Sequence, residues 1–167
     1  MSRLVEKALQ FATMAHEGQV RKYTGEPYIN HPVEVMGIVK TVSDDPAMHA
    51  AALLHDVVED TDFTIEDIVR EFGDDVARLV DDLTDVSKPE DGNRKTRKAL
   101  DRAHSAMASA RAQTVKLADL ISNGKDIIQH DRHFGKVFLA EKDLLLEVLT
   151  KGDRKLHAIA SEIVLSE

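Results

Sequence analysis

Four acid–base side chains lie close together in the stretch LLHDVVEDT, which covers residues 53–61. His55 and Asp56 are adjacent, and Glu59 and Asp60 follow them by about one helical turn. On a helix, positions three and four residues apart share a face, so one imidazole and three carboxylates would meet in one region. Burying several carboxylates together is costly without a cation or a proton. The stretch therefore predicts either a metal site or a helix end at which Glu59 and Asp60 lie in water.

Two further places supply the same kinds of ligand. His31 stands just before Pro32 at the expected start of a helix, and Asp119 lies among apolar residues in TVKLADLISN. His31 could instead cap its helix. Asp119 could instead pair with Lys116 or Lys125. Taken together, two histidines and two aspartates on three helices form an N/O donor set that suits Mn²⁺, Fe²⁺ or Zn²⁺.

The elements that must position these ligands are helices. Helical periodicity runs along nearly the whole chain, and no period-2 strand pattern is convincing. A chain of 167 residues suits one domain. We predict an all-α fold, a compact single-domain bundle of about eight to nine helices over residues 1–167.

Local signals set the helix ends. Pro32 predicts the first turn of the second helix. Asp45-Pro46 predicts the start of a third helix, which would carry the whole stretch 53–61. Thr64 and Asp67 have the spacing of a capping box, although Asp replaces the usual Glu or Gln. After a new start at Gly73-Asp74, the remaining helices are expected at about 94–108, 110–123, 135–150 and 153–165.

Charge and composition exclude several functions. The chain has no cysteine, so thiolate metal sites and cysteine nucleophiles are excluded. Its formal net charge is −8, whereas nucleic acid and anionic membranes require a broad basic face, so we expect neither as a partner. The N-terminus lacks an apolar signal region and no window approaches a transmembrane length, so a cytoplasmic location is expected.

Four blocks carry a family resemblance: FATMAHEGQVRKYTGEPYINHPVEV, AALLHDVVEDT, FGDDVARLVDDLT and VKLADLISN. Their order and spacing resemble the HD-domain metal-dependent phosphohydrolases, and most closely the (p)ppGpp hydrolase domain of the RelA/SpoT family. The resemblance covers roughly residues 5–128. It implies an HD-domain fold and a stand-alone small alarmone hydrolase, similar to the metazoan SpoT homologue.

The resemblance also implies a role for each matching residue. One divalent metal, with Mn²⁺ as the first choice, would be held by His31, His55, Asp56 and Asp119. The attacking water would be oriented and deprotonated by Glu59 and Asp60. The substrate would contact Arg21, Lys22, Lys116 and Asn123. Without the resemblance, the basic pair would be interpreted as a solvated loop, and Lys116 could merely screen a carboxylate.

The implied reaction removes the 3′-pyrophosphate from ppGpp or pppGpp and yields GDP or GTP plus pyrophosphate. One alternative is an HD phosphohydrolase that acts on another nucleotide phosphate, such as that of NADPH. Another is a non-catalytic nucleotide-sensing domain, which would be marked by loss of a metal ligand or of the Glu-Asp pair. All six of those positions are present. The segment LISNGKDI departs from the family pattern at Ser122 and Gly124, next to the predicted substrate contact Asn123.

Overall fold

The computed structural model describes residues 1–165. Within that range the chain forms ten α-helices and one short 3₁₀ turn. The described residues contain no β-strand, and their extended pairing is limited to one antiparallel bridge between Val20 and Pro27. The all-α prediction is therefore confirmed.

The first of two compact units covers Met1–Thr84. Its helices are α1 (Arg3–Ala15), α2 (Asn30–Lys40), α3 (Pro46–Leu54), α4 (Val57–Asp60), α5 (Ile65–Phe72) and α6 (Asp74–Leu83). Helix α3 packs against α1, α2 and α6, and its residues from Ala47 to Leu54 are all buried. A helix that is apolar on all sides belongs inside a fold, which is why α3 forms the centre of this unit.

The stretch 53–61 is not one helix, so that prediction is wrong. Helix α3 ends at Leu54 and α4 begins at Val57. The Nδ1 atom of His55 donates a hydrogen bond to the carbonyl oxygen of Ala52 at 2.6 Å. This side chain competes for the carbonyl that the amide of Asp56 would bond in a continuous helix. When α3 and α4 are counted separately, the described residues form ten helices, close to the predicted number of about eight to nine.

Helix ends in this unit follow the local signals closely. The capping box is present, with the amide of Asp67 donating to Thr64 Oγ1 at 3.3 Å and the amide of Thr64 donating to Asp67 Oδ2 at 2.9 Å. Pro32 is the third residue of α2 rather than the first, because the helix begins at Asn30. Proline is tolerated there since the first four N–H groups of a helix have no partner within it.

The second compact unit begins at Asp85. It contains the 3₁₀ turn Pro89–Asp91 and the helices α7 (Arg94–Met107), α8 (Ala110–His130), α9 (Arg132–Val148) and α10 (Arg154–Leu165). Helix α8 packs against α9 and α10, and α7 packs against α9. Helix α8 continues past its predicted end near residue 123. It stops only where Asp131 caps α9 by accepting the amide of Phe134 at 3.0 Å.

In the part of the chain that the structure describes, no helix is both long enough and apolar enough to cross a lipid bilayer. The cytoplasmic location and the single-domain assignment both stay predictions.

Candidate functional site

Three of the four predicted metal ligands lie together in the first unit. One ligand atom from each of His31, His55 and Asp56 lies within 4.8 Å of the others. The Nε2 atom of His55 is 3.0 Å from Oδ2 of Asp56, and the Nε2 atom of His31 is 3.7 Å from the same oxygen. Both histidines are almost completely buried, at 2% and 3% exposure. This His-His-Asp group is suited to a divalent metal.

Two packed helices bring the histidines together. His31 is the second residue of α2, and His55 directly follows the last residue of α3. Because α2 packs against α3, the two rings meet with their centroids 5.3 Å apart, inclined at 68°. Asp56 is added by the turn that separates α3 from α4. The break in the predicted helix therefore forms part of the site.

The hydrogen bonds of the group support a cation as its natural occupant. A carbonyl oxygen only accepts, so the bond to Ala52 requires that Nδ1 of His55 carries the hydrogen. In the neutral ring the Nε2 atom is then an acceptor, and it lies 3.0 Å from a carboxylate oxygen, which is also an acceptor. Two acceptor atoms repel each other at this distance, so a proton or a metal ion is needed between them. Histidine ligands in metal sites are held in the same way, by a bond from the second ring nitrogen.

Tyr28 is a part of the site that sequence reasoning missed. Its hydroxyl donates a hydrogen bond to Oδ2 of Asp56 at 2.6 Å, and its ring centroid lies 5.8 Å from that of His31. The only signal in the sequence is its position three residues before His31. That spacing has structural meaning, because the amide of His31 donates to the carbonyl of Tyr28 at 3.0 Å.

Glu59 and Asp60 are the last two residues of α4, and both are exposed. The stretch 53–61 is thus divided: His55 is buried and Asp56 is partly buried, whereas Glu59 and Asp60 are in contact with water. Protein atoms around the carboxyl group of Asp60 still displace enough solvent to raise its pKa, and the nearby carboxylate of Asp56 raises this pKa further. The catalytic role of the pair stays a prediction.

The basic pair lies in the loop between α1 and α2. The side chain of Arg21 is only 10% exposed, and its Nη1 atom lies 3.4 Å from Oε2 of Glu34. Lys22 is exposed and places its Nζ atom 5.3 Å from the centroid of the Tyr23 ring. Arg21 is therefore not a solvated loop residue, although its contact with substrate stays a prediction.

The remaining predicted residues lie on α8, in the second unit. The side-chain Nδ2 of Asn123 donates to Oδ1 of Asp119 at 3.0 Å, so these two residues share a face as expected. The Nζ atom of Lys116 lies 3.9 Å from Oδ2 of Asp119. This is the ion pair that the sequence offers as an alternative to metal binding by Asp119. The assignments of Asp119 as a metal ligand and of Lys116 and Asn123 as substrate contacts stay predictions.

Comparison with known proteins agrees with this architecture. The family model described as "HD domain" matches residues 8–141. The guanosine-3′,5′-bis(diphosphate) 3′-pyrophosphohydrolase MESH1 of Drosophila melanogaster is 42% identical over 124 residues, which cover 72% of this chain and 68% of that protein. A solved structure of a metazoan SpoT orthologue, described as hydrolysing ppGpp, superposes with a TM-score of 0.88 at 32% identity. That match covers 98% of this chain and 94% of the other.

Longer proteins share the same region. The GTP pyrophosphokinase of Streptomyces coelicolor is 43% identical over 122 residues, but the match spans only 14% of its length. In a second GTP pyrophosphokinase, from Streptomyces antibioticus, the match also spans 14% of the protein's length. The similarity thus covers most of this chain and a small part of these long relatives. From the family model, the MESH1 match and the shared fold, the chain belongs to the HD-domain family, within its RelA/SpoT (p)ppGpp hydrolase branch.

Proposed function

We propose that this protein hydrolyses the 3′-pyrophosphate of ppGpp or pppGpp, with Mn²⁺ as the metal. The observation that carries the proposal is the group of two buried histidines, His31 and His55, with the partly buried Asp56, followed closely in the sequence by the exposed pair Glu59 and Asp60. Its support outside the chain is the activity named for MESH1 from Drosophila melanogaster and for the metazoan SpoT orthologue.

The proposed reaction begins with attack of a water oxygen on the phosphorus attached to the 3′ oxygen. The new P–O bond forms as the bond between that phosphorus and the 3′ oxygen breaks. The water proton passes to the carboxylate pair, and the 3′ oxygen takes up a proton. The products are pyrophosphate and GDP or GTP with a free 3′ hydroxyl. A divalent cation would supply positive charge beside the reacting phosphate.

The residues of the chain have separate tasks in this proposal. The metal would be held by His31, His55, Asp56 and Asp119. Glu59 orients the water and accepts its proton, because an exposed carboxylate next to the metal group can reach both solvent and substrate. Asp60 would help Glu59 to orient and deprotonate the same water. The anionic substrate would be held by Arg21, Lys22, Lys116 and Asn123.

A labelled-water experiment tests both the substrate and the bond that breaks. The purified protein with Mn²⁺ is incubated with ppGpp in H₂¹⁸O, and the products are followed by ³¹P NMR and mass spectrometry. We expect GDP and pyrophosphate, with the label in pyrophosphate. Label in GDP would refute attack at the phosphorus of the departing group.

A parallel panel addresses substrate choice. It contains ppGpp, pppGpp, GTP and NADPH at equal concentrations with the same Mn²⁺-loaded preparation. We expect ppGpp and pppGpp, the two nucleotides with a 3′-pyrophosphate, to be consumed first. Release of orthophosphate from NADPH without turnover of ppGpp would favour the alternative HD phosphohydrolase instead.

A further inference from the structure

His16 is a buried histidine that the proposed chemistry does not use. It caps the C-terminus of α1 and is only 2% exposed. Its Nε2 atom is buried and has no hydrogen-bond partner among the described residues. An unpaired buried polar atom costs about 1–3 kcal/mol, so an apolar side chain would fill this space at lower cost. Stability alone therefore does not account for a histidine here.

The other ring nitrogen of His16 connects it to the carboxylate pair through Gln19. The side-chain Nε2 of Gln19 donates a hydrogen bond to the backbone carbonyl of Asp60 at 3.0 Å. Since that carbonyl can only accept, the orientation of the Gln19 amide is fixed. Its Oε1 atom then faces Nδ1 of His16 at 2.8 Å, so Nδ1 donates to it. The two side chains thus form a chain of hydrogen bonds from α1 to the end of α4.

Helix α4 depends on contacts of this kind. It has four residues, far fewer than an isolated helix needs for stability in water. The carbonyl of Asp60 belongs to its last turn, where no backbone N–H of the same helix is available. Gln19 supplies the missing donor from a different part of the chain. Because the carboxyl group of Asp60 is attached to this residue, the bond fixes the backbone from which that group extends.

His16 also contacts Tyr28, which is hydrogen-bonded to the His-His-Asp group. Its ring centroid is 4.9 Å from that of Tyr28, whose hydroxyl donates to Asp56. The backbone repeats the connection, since the amide of Gln19 bonds the carbonyl of His16 and the amide of Tyr28 bonds the carbonyl of Gln19, both at 2.9 Å. The buried ring of His16 therefore contacts Tyr28, which bonds Asp56, and Gln19, which bonds Asp60.

We propose that His16 and Gln19 are positioning residues, which hold the Asp60 end of α4 in register with the His-His-Asp group. This inference rests on the proposed function for its catalytic consequence. It does not require either residue to touch the substrate. Gln19 acts on the backbone of Asp60, and His16 acts by fixing the amide of Gln19.

The test compares Gln19→Met with Gln10→Met, the same substitution at an exposed position of α1. For Gln19→Met we expect kcat to fall about tenfold, while KM and the Mn²⁺ dissociation constant stay within about twofold. Gln10→Met keeps wild-type values. For His16, the Asn variant retains a donor near the position of Nδ1 and the Leu variant does not. We therefore expect His16→Asn to recover most of the kcat that His16→Leu loses.

A readout that is independent of catalysis accompanies the kinetics. Backbone amide hydrogen exchange reports on α4 through the amides of Asp60 and Thr61, which bond the carbonyls of Asp56 and Val57. We expect their exchange to accelerate severalfold in Gln19→Met and not in Gln10→Met. Unchanged exchange together with unchanged kcat would overturn the inference. An equal loss of Mn²⁺ affinity would also overturn it, because the residues would then support the metal rather than Asp60.

These outcomes are distinct from failure of the proposed function. If the wild-type protein does not hydrolyse ppGpp, the proposed function is wrong, and hydrogen exchange still decides whether Gln19 holds α4. If the wild type is active and Gln19→Met matches it in both kcat and exchange, only the positioning role is wrong.

Discussion

The hydroxyl group of Tyr28 donates a hydrogen bond to Oδ2 of Asp56 at 2.6 Å. The same oxygen is the one that approaches the Nε2 atoms of both site histidines. Bonds of this kind fix the orientation of a metal-binding carboxylate before any ion arrives. We therefore expect the metal affinity of the His-His-Asp group to depend on Tyr28, a residue that is not itself predicted to be a ligand.

Tyr28→Phe removes this hydrogen bond and keeps the ring. We expect the affinity for Mn²⁺, measured by isothermal titration calorimetry, to fall about tenfold because Asp56 loses its orientation. The chain contains two tyrosines, so Tyr23→Phe is a matched control and keeps wild-type affinity. Equal affinities in the two variants would mean that the hydroxyl has no part in preparing the site.

Asp56→Asn removes the carboxylate charge at the centre of the metal group. We expect Mn²⁺ binding to weaken at least about 100-fold, and the rise in unfolding temperature that Mn²⁺ gives the wild type to disappear. Asp44 is exposed, and Asp44→Asn controls for the loss of one negative charge. Metal content after dialysis, measured by mass spectrometry, is the check. A variant that retains one Mn²⁺ per chain would contradict the assignment of Asp56.

Glu59→Gln separates catalysis from binding. The amide cannot accept the proton of water, so we expect kcat to fall about 100- to 10,000-fold while Mn²⁺ and substrate still bind. Glu66→Gln, at an exposed position on α5, keeps wild-type turnover. Retained turnover in Glu59→Gln would assign the proton transfer to another group. Wild-type protein that binds ppGpp without turnover would instead favour the sensor alternative.

Lys142 gives the protein a pH-dependent stability at alkaline pH. Burial, and then the neighbouring Lys116, lower the pKa of Lys142 from 10.5 to about 8. Below pH 8 the folded state carries an unfavourable charge. As pH rises from about 8 to 10.5, the folded state loses this proton before the unfolded chain does, so the free energy of unfolding rises with pH.

Lys142→Met removes that charge. We expect the metal-free variant to be more stable than the wild type by about 1 kcal/mol at pH 7, a figure kept small because the side chain is only partly buried. The difference shrinks as pH approaches 10.5. Urea unfolding at several pH values measures it, with Lys136→Met, an exposed position on α9, as the control. A difference that is constant with pH would show that Lys142 is not the titrating group.

Much of the fold follows from local sequence signals. The capping box at Thr64 and the start of α6 at Asp74 depend on neighbouring residues alone, so the sequence predicts them correctly. Helix α8 extends beyond its predicted end near residue 123, and it includes Gly124, a residue type that weakens a helix when only local propensity is considered. In the fold, a side chain at Gly124 would come 3.0 Å from Ile163, so this glycine allows α10 to lie close instead.

The break between α3 and α4 could not be read from periodicity. The pattern of residues 53–61 is compatible with one helix, and only the bond from His55 to the carbonyl of Ala52 shows why it divides. As a result, Asp56 lies in the turn between the two helices, and Glu59 lies on α4 rather than on α3.

The sequence predicts the ligands of the candidate site but not the hydrogen bonds that hold them. Ligand types and their spacing point to His31, His55 and Asp56, and the structure brings these three together. Hydrogen bonds such as that of Tyr28 to Asp56 connect residues far apart in the sequence, so no local pattern indicates them. His16 and Gln19 belong to the same class, since their partner Asp60 is 41 positions beyond Gln19.

We propose that one Mn²⁺, held by the His-His-Asp group, makes this protein a ppGpp hydrolase. The most direct test titrates metal-free protein with Mn²⁺ while bound metal and pyrophosphate release from ppGpp are measured in the same samples. We expect turnover to rise in proportion to bound Mn²⁺ and to level off at one ion per chain. Protein that binds one Mn²⁺ per chain and releases no pyrophosphate from ppGpp would contradict it.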